Sequence, residues 1–373
     1  MRSRLAPRLQ SCLGMRAFHK LCWCLVLGGL SACGIGTLES GDPGRSTFEA
    51  MDEANQPRLR EQLWFRLSDL PTSGKAAQQP WVGYWWPFYD NGIAHPWTSP
   101  DEPSPAAKYD AAFGGQGRAM LWEAANHTAT EKWFGHCDGR TVASIVEPEP
   151  KWRVRVGETC MTPGDMKALL TEVYTGDLSG QDVETVGGYC WTYEPEVDES
   201  GRPTAAPCRD VNPGTFHVVI ASLLGKHRQA FYMDEDSKLE IWNRAVSGFT
   251  SSIGEPTRVT ELSEEERALL APGTRAVVEV TTTVETIPGG VWTRAATAPE
   301  TSRLEYVYRL ELDASGTIIG GEWLGSSRLT HPDMLKVPHR GAKKVPAYAN
   351  PNIDYARLLP FIDRAAQLGH DEC

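Results

Sequence analysis

The stretch Trp133–Pro150, WFGHCDGRTVASIVEPEP, sets a cysteine where a Gly-containing polar loop meets a run of small residues. Cys137 is followed by Asp138 and Gly139, then by Thr141-Val142-Ala143-Ser144-Ile145-Val146. That run reads as a helix whose short side chains let it lie close against a sheet. A helix start presents unpaired N–H groups and partial positive charge, which lower a thiol pKa and suit a nucleophile. The alternatives are a buried structural cysteine or half of a disulfide.

The N-terminus bears on that choice. Among residues 1–32, Arg2, Arg4, Arg8, Arg16 and Lys20 are unaccompanied by any acid, and an apolar run follows from Leu21 to Leu30. A charged segment and about ten apolar residues fit a signal peptide and are too short to span a bilayer. Leu30-Ser31-Ala32-Cys33 looks like a bacterial lipobox, so Cys33 is expected to carry lipid as the first mature residue; an ordinary signal peptide cleaved elsewhere is the alternative. Gly34 after it points, by resemblance to sorted lipoproteins, to the outer membrane of a bacterial envelope. The chain has 37 basic and 48 acidic residues, and loss of five cations with the leader takes the net charge from −11 to −16. So acidic a surface argues against nucleic acid as a partner.

Nine cysteines then sort themselves. Cys12, Cys22 and Cys24 leave with the leader, Cys33 takes the lipid, and Cys137, Cys160, Cys190, Cys208 and Cys373 remain in an oxidising compartment. Five is odd, and Cys137 has a reason to stay free. The other four allow three pairings. The Pro-, Glu- and Gly-rich loop between Cys190 and Cys208 favours that pair and leaves Cys160 with Cys373, unless none pairs.

Residues 34–60 are polar and suit a tether, with a short amphipathic helix expected from Arg58 to Leu67. Trp81–Phe88, WVGYWWPF, is either an aromatic wall over a cleft or, more simply, a loop pinned on the core. Ser104-Pro105 is a helix start, and Thr162-Pro163-Gly164-Asp165 caps MKALLTEVY, whose Met166, Leu169, Leu170 and Val173 share one face. Trp152–Val156 alternates like a strand. The long Gly/Pro/Asp-rich segment Thr175–Pro213 suits a functional or covalently pinned loop. Strands are expected at Arg275–Ile287, Leu304–Leu312 and Thr317–Leu324, with a turn at Asp313–Gly316, and a helix at Tyr355–Leu368.

Thr215–Leu224 and His227–Met233 also look like strands, flanking Gly225-Lys226 as a type II′ hairpin. In that register His217 faces Asp234 across the pair. A thiol nucleophile needs a base and a group that orients the base. Cys137, His217 and Asp234 supply these roles in the order of papain-like and transglutaminase-like enzymes. The oxyanion hole would use the Cys137 N–H and a second donor such as the Trp133 indole or a group of the Trp81–Trp86 segment. His136, His227, His331 and His339 read as loop or surface residues. Met233–Asp236 is acidic enough for Ca²⁺, but its spacing matches no EF-hand loop, so no metal and no cofactor is expected.

At these residues the chain resembles the transglutaminase elicitor family, named from oomycete cell-wall transglutaminases that plants perceive, with bacterial relatives. The stretches that carry the resemblance are YWWPFYDNGIAHPW (Tyr84–Trp97), SPAAKYDAAFG (Ser104–Gly114), WFGHCDG (Trp133–Gly139), EPEPKW (Glu147–Trp152), DMKALLTEVY (Asp165–Tyr174), NPGTFHVVI (Asn212–Ile220), EIWNRAVSGF (Glu240–Phe249) and GGEWLGSSRLTHPDML (Gly320–Leu335). The resemblance implies a Cys/His/Asp acyltransferase that joins a protein glutamine to a lysine amine through a thioester, with Cys137 as nucleophile, His217 as base and Asp234 as orienter. Arg140 and Thr141 stand where relatives carry an aromatic and small apolar residues. A cysteine peptidase or amidase with water as acceptor, and an inactive envelope structural or binding lipoprotein, are the alternatives. The expected fold is α+β, a papain-like or transglutaminase-like core with the nucleophile helix packed on an antiparallel sheet. Its expected divisions are leader 1–32, tether and N-terminal segment 33–75, catalytic core 76–250, and a β-rich part 251–373 packed on the same core.

Overall fold

The computed structural model describes residues 51, 59, 62–97, 99–175, 183–190, 192–197, 204, 205, 208, 210–235, 239–288, 301–339 and 349–373. They belong to one compact unit beginning at Ser46. The leader and Cys33 lie outside the described residues, as does part of the helix expected at Arg58–Leu67. Of that segment Leu63–Phe65 carry no helix, and Leu67–Asp69 make one 3-10 turn.

A mixed sheet-and-helix fold results, as expected. The longer helices are α1 (Pro105–Phe113), α2 (Arg118–Asn126), α3 (Cys137–Val146), α4 (Pro163–Tyr174), α5 (Pro213–Ile220) and α6 (Tyr355–Gln367), and a short helix covers Glu264–Ala268. The strands are β1 (Ser73–Lys75), β2 (Val154–Val156), β3 (Thr159–Met161), β4 (Val183–Gly187), β5 (Phe231–Asp234), β6 (Asn243–Ile253), β7 (Thr257–Arg258), β8 (Ala276–Ile287), β9 (Ser302–Leu312), β10 (Ile318–Trp323) and β11 (Met334–Pro338). β2 and β3 form a small hairpin; the others make one antiparallel sheet in the order β10-β9-β8-β6-β5-β11-β4, with β1 on β6 and β7 on β8. The sheet runs straight through residue 250, because β6 pairs with β8 from Ala245↔Ile287 to Ile253↔Val280.

Local signals account for several helices. Ser104 caps α1 by accepting from Ala107 N, with Pro105 in the first turn. Thr162 and Asp165 form a capping box on α4. Asp313 Oδ1 accepts from the N–H groups of Ser315 and Thr317, closing the β9–β10 turn.

The hairpin expected at Gly225-Lys226 is absent. Thr215–Leu224 is helical: α5 continues into a π-helical turn, Ala221–His227, and only Phe231–Asp234 of the second segment is a strand. Asn212 caps α5 through Gly214 N, and Pro213 sits in its first turn. TFHVVIASLL is apolar on every side, and every residue of α5 is buried. A buried helix and a buried strand give the same pattern under those conditions.

Alternation divides the sheet between two cores. Phe231 and Met233 of β5, Leu335 and Val337 of β11, and Tyr306, Tyr308 and Leu310 of β9 join a cluster with Phe216, Val219 and Ile220 of α5. Tyr232 turns to the other face, into a cluster with α1, α4 and α6. Ile145 of α3 packs there on Ala245 and Ile287.

Candidate active site

Two disulfides, Cys160–Cys373 and Cys190–Cys208, form as the sorting favoured, and Cys137 is the free cysteine among the described residues. It is the first residue of α3, with His136 as N-cap. The loop before it is drawn tight: His136 N donates to Trp85 O at 2.7 Å, and a Cβ on Gly135 would come within 2.5 Å of the Trp85 ring. Helix α3 lies against α4, β5, β6 and β11.

The sulfur meets the start of β6. Asn243 Nδ2 donates to Cys137 Sγ at 3.7 Å, and the thiol donates toward Ile241 O at 3.6 Å. Arg140, one turn along α3, is buried and donates through Nη2 to Asn243 O at 3.0 Å. Thr141 Oγ1 lies 3.1 Å from the same carbonyl and 2.7 Å from Cys137 O. Arg140 and Thr141 thus fasten Asn243 to α3. Burial brings Arg140 down to about 10.

The helix start does not lower the thiol pKa as expected. Burial raises it, Asp138 adds to the rise, and the Asn243 hydrogen bond and Arg140 only partly oppose them. Desolvation of a thiolate outweighs the helix-end charge where water is excluded.

Asp234 and His217 are separated. Asp234 is the register partner of Asn243 and accepts from Trp242 N at 2.8 Å, so it sits beside the cysteine. His217 is on α5, across the sheet from α3, with Nδ1 2.7 Å from the Tyr308 hydroxyl. That hydroxyl is 2.7 Å from Thr282 Oγ1, which is 2.7 Å from Ser251 Oγ. Burial pushes His217 down to about 4. The base and orienter of the expected triad are therefore on opposite faces, because a helix replaced the strand that would have aligned them.

Lys336 is a basic group near the sulfur that the sequence reading passed over. It alternates with Leu335 and Val337 to the α3 face of β11, where burial lowers its pKa and Asp138, Asp234, Cys137 and Asp333 oppose the drop. Its position in an alternating LKV strand was the available signal. Trp133 packs edge-on against Phe134 at 4.4 Å and makes no hydrogen bond among the described residues. In the Trp81–Phe88 segment Trp81 and Trp86 are buried core, as the simpler reading has it, and Trp85 meets Trp242 edge-on at 5.7 Å. His331 is buried, not a surface residue, with Nε2 3.1 Å from Asp210 Oδ2.

His136 points away from the sulfur into a buried group with Glu123, His127 and Glu172. Burial would raise Glu123, but hydrogen bonds and charge from the two histidines bring it down to about 2. Burial and the neighbouring Glu123 push Glu172 well up. The i,i+4 spacing of Glu123 and His127 was legible in the sequence; His136 and Glu172 join them only in three dimensions.

A free cysteine at the start of a helix packed on an antiparallel sheet places the chain among α+β proteins of transglutaminase-like fold. The family model described as Transglutaminase elicitor matches residues 58–131 and 123–367. The chain belongs to that family. No curated protein matches it. The crystal structure of the GP42 transglutaminase from Phytophthora sojae is similar, with a TM-score of 0.69 and 25% identity, over 86% of this chain and 100% of that one.

Proposed function

We propose that the chain is a transglutaminase-type acyltransferase with Cys137 as its nucleophile, acting on protein glutamine and lysine side chains. The observation that carries this is the free Cys137 at the first position of α3, with the Asn243 amide on its sulfur, in a member of this family. The thiol gives up its proton and the sulfur attacks a glutamine carboxamide carbon. The C–N bond breaks, ammonia leaves carrying that proton, and a thioester remains. A lysine amine then attacks the thioester, its proton returns to sulfur, and an isopeptide bond is left. Asn243 Nδ2 is a hydrogen-bond donor for the thiolate or for the oxyanion. On this reading proton exchange falls to Lys336 and Asp234, because His217 faces the other core.

The leader motif supports delivery across the inner membrane and anchoring at the outer membrane through lipid on Cys33. No described helix is long and apolar enough to cross a membrane.

The test is incorporation of a fluorescent primary amine into a glutamine-donor protein. Wild type should label the donor and Cys137→Ala should not. Release of ammonia with no amine incorporated would replace transfer by hydrolysis. Neither product from a folded wild-type protein would remove the enzymatic reading and favour a binding or structural lipoprotein.

A further inference from the structure

Beside helix α3, four side chains from three helices and a loop converge in one buried cluster. Glu123 comes from α2, His127 follows it, His136 caps α3, and Glu172 lies in the last turn of α4. All four are buried. His127 Nδ1 is 2.9 Å from Glu123 Oε2 and 3.8 Å from Glu172 Oε2. His136 Nε2 is 3.0 Å from Glu123 Oε1 and 3.2 Å from Glu172 Oε2. A tetrahedral ion with ligand bonds near 2.0 Å has an edge of about 3.3 Å, which the three separations made by Glu123 Oε2 and Glu172 Oε2 bracket, and one donor atom from each residue lies within 4.8 Å of the others.

The surrounding bonds aim the donors inward. Thr175 Oγ1 donates to Thr171 O at 2.9 Å, so it accepts from His136 Nδ1 at 2.7 Å. The Nδ1 proton is thereby fixed, and Nε2 of the neutral ring turns a lone pair toward two carboxylates. Each carboxylate has one oxygen held by the backbone: Ile93 N donates to Glu123 Oε1 at 3.1 Å and Asn350 N to Glu172 Oε1 at 2.5 Å. The second oxygens face the histidine rings, Glu123 Oε2 at 2.9 Å from His127 Nδ1 and Glu172 Oε2 at 3.2 Å from His136 Nε2. Phe88 stacks on His127 at 4.6 Å and Trp122 meets the same ring edge-on at 5.1 Å, giving the site an aromatic wall. Gly92 takes φ 53° beside it, and a Cβ there would come within 2.3 Å of Glu123 Oε1. Two carboxylates and an imidazole lone pair this close in an apolar setting need a cation or a shared proton among them.

We propose that Glu123, His127, His136 and Glu172 form a closed structural site for one first-row divalent transition ion of the zinc type. Two anionic and two neutral ligands balance its charge. Two imidazole and two carboxylate donors, one atom from each residue, suit Zn²⁺ and not Ca²⁺, which takes six to eight oxygens. All four coordination positions are filled by protein, so the ion is structural. It would tie α2, α4 and the cap of α3 together and so fix where Cys137 begins its helix. This inference does not depend on the acyl-transfer reading.

The test uses the full chain, purified without chelator and dialysed against Zn²⁺, with metal measured by mass spectrometry. About one equivalent of zinc per chain is expected, with Ca²⁺ failing to displace it. Cobalt in its place should show the intense visible bands of a tetrahedral site. Glu172→Gln and His127→Gln should each weaken zinc retention at least about tenfold. A folded wild-type chain that retains no zinc, and whose melting temperature is the same with and without a chelator, overturns the proposal in favour of a proton-shared network. So does zinc retained equally by both variants. Neither readout uses catalysis, so a metal-free active enzyme and a metal-loaded inactive protein are distinct outcomes.

Discussion

At the residue scale, His217 separates what the sequence suggests from what the fold does. Its place in a base–orienter pair rested on one turn, and that turn became part of a helix. Buried against Tyr308, it is held near 4 instead of its ordinary 6.5. The sign follows: the unfolded chain binds a proton near pH 6.5 that the folded chain refuses until about pH 4. His217 therefore adds nothing to the pH dependence of stability above 6.5 and lowers stability as pH falls from 6.5 to 4, by about 3 kcal/mol in all. Urea melts of wild type and His217→Gln should show a shallower loss for the variant over that window. Iodoacetamide labelling of Cys137 should keep its wild-type rate in His217→Gln, since the two residues face different cores. A rate that collapsed in a folded variant would restore the histidine to the site. Cys137 itself was legible because it stands where a Gly-containing loop meets a run of small residues that reads as a helix. Asn243 was not, because a strand-start asparagine acquires a role only when its partner strand carries it to the sulfur.

At the element scale, capped helices and alternating strands were readable, and uniformly apolar elements were not. Thr162 and Ser104 announce α4 and α1 by side-chain bonds that need no tertiary context. Asn212-Pro213 announces α5 in the same way, but the apolar run after it drew the strand reading. The disulfides supply a test at this scale. Cys160–Cys373 spans 213 residues and fastens the segment after α6 to β3, while Cys190–Cys208 spans 18. In the chain-entropy account, losing the longer link costs about 2 kcal/mol more than losing the shorter. Denaturant unfolding of the paired Cys→Ser variants should rank them in that order. Equal costs would mean that α6, which buries Leu358, Ile362 and Ala365 along one stripe, holds the C-terminus unaided.

At the scale of the whole molecule, the order of the strands was beyond the sequence. Neighbouring hairpins such as β9–β10 are local, but β11 enters between β5 and β4 from far along the chain, pairing Leu335 with Met233 and Met334 with Gly187. Such long-range pairing leaves no periodic trace in either segment. It also decides how the chain can be cut. A core ending at residue 250 keeps Cys137, Asp234 and Asn243 but loses the strands that complete the sheet. It would strip β6 of β8, leave Phe216 and His217 without Tyr306, Tyr308 and Trp323, and remove Lys336 with β11. The exposed edge and apolar face of β6 would then invite association. A fragment of residues 46–250 should therefore give no cooperative thermal transition and should bind a hydrophobic dye, whereas residues 46–373 should unfold in one step. A sharp transition from the shorter fragment would show that the helices and β6 make a core of their own, with the C-terminal strands an addition to it.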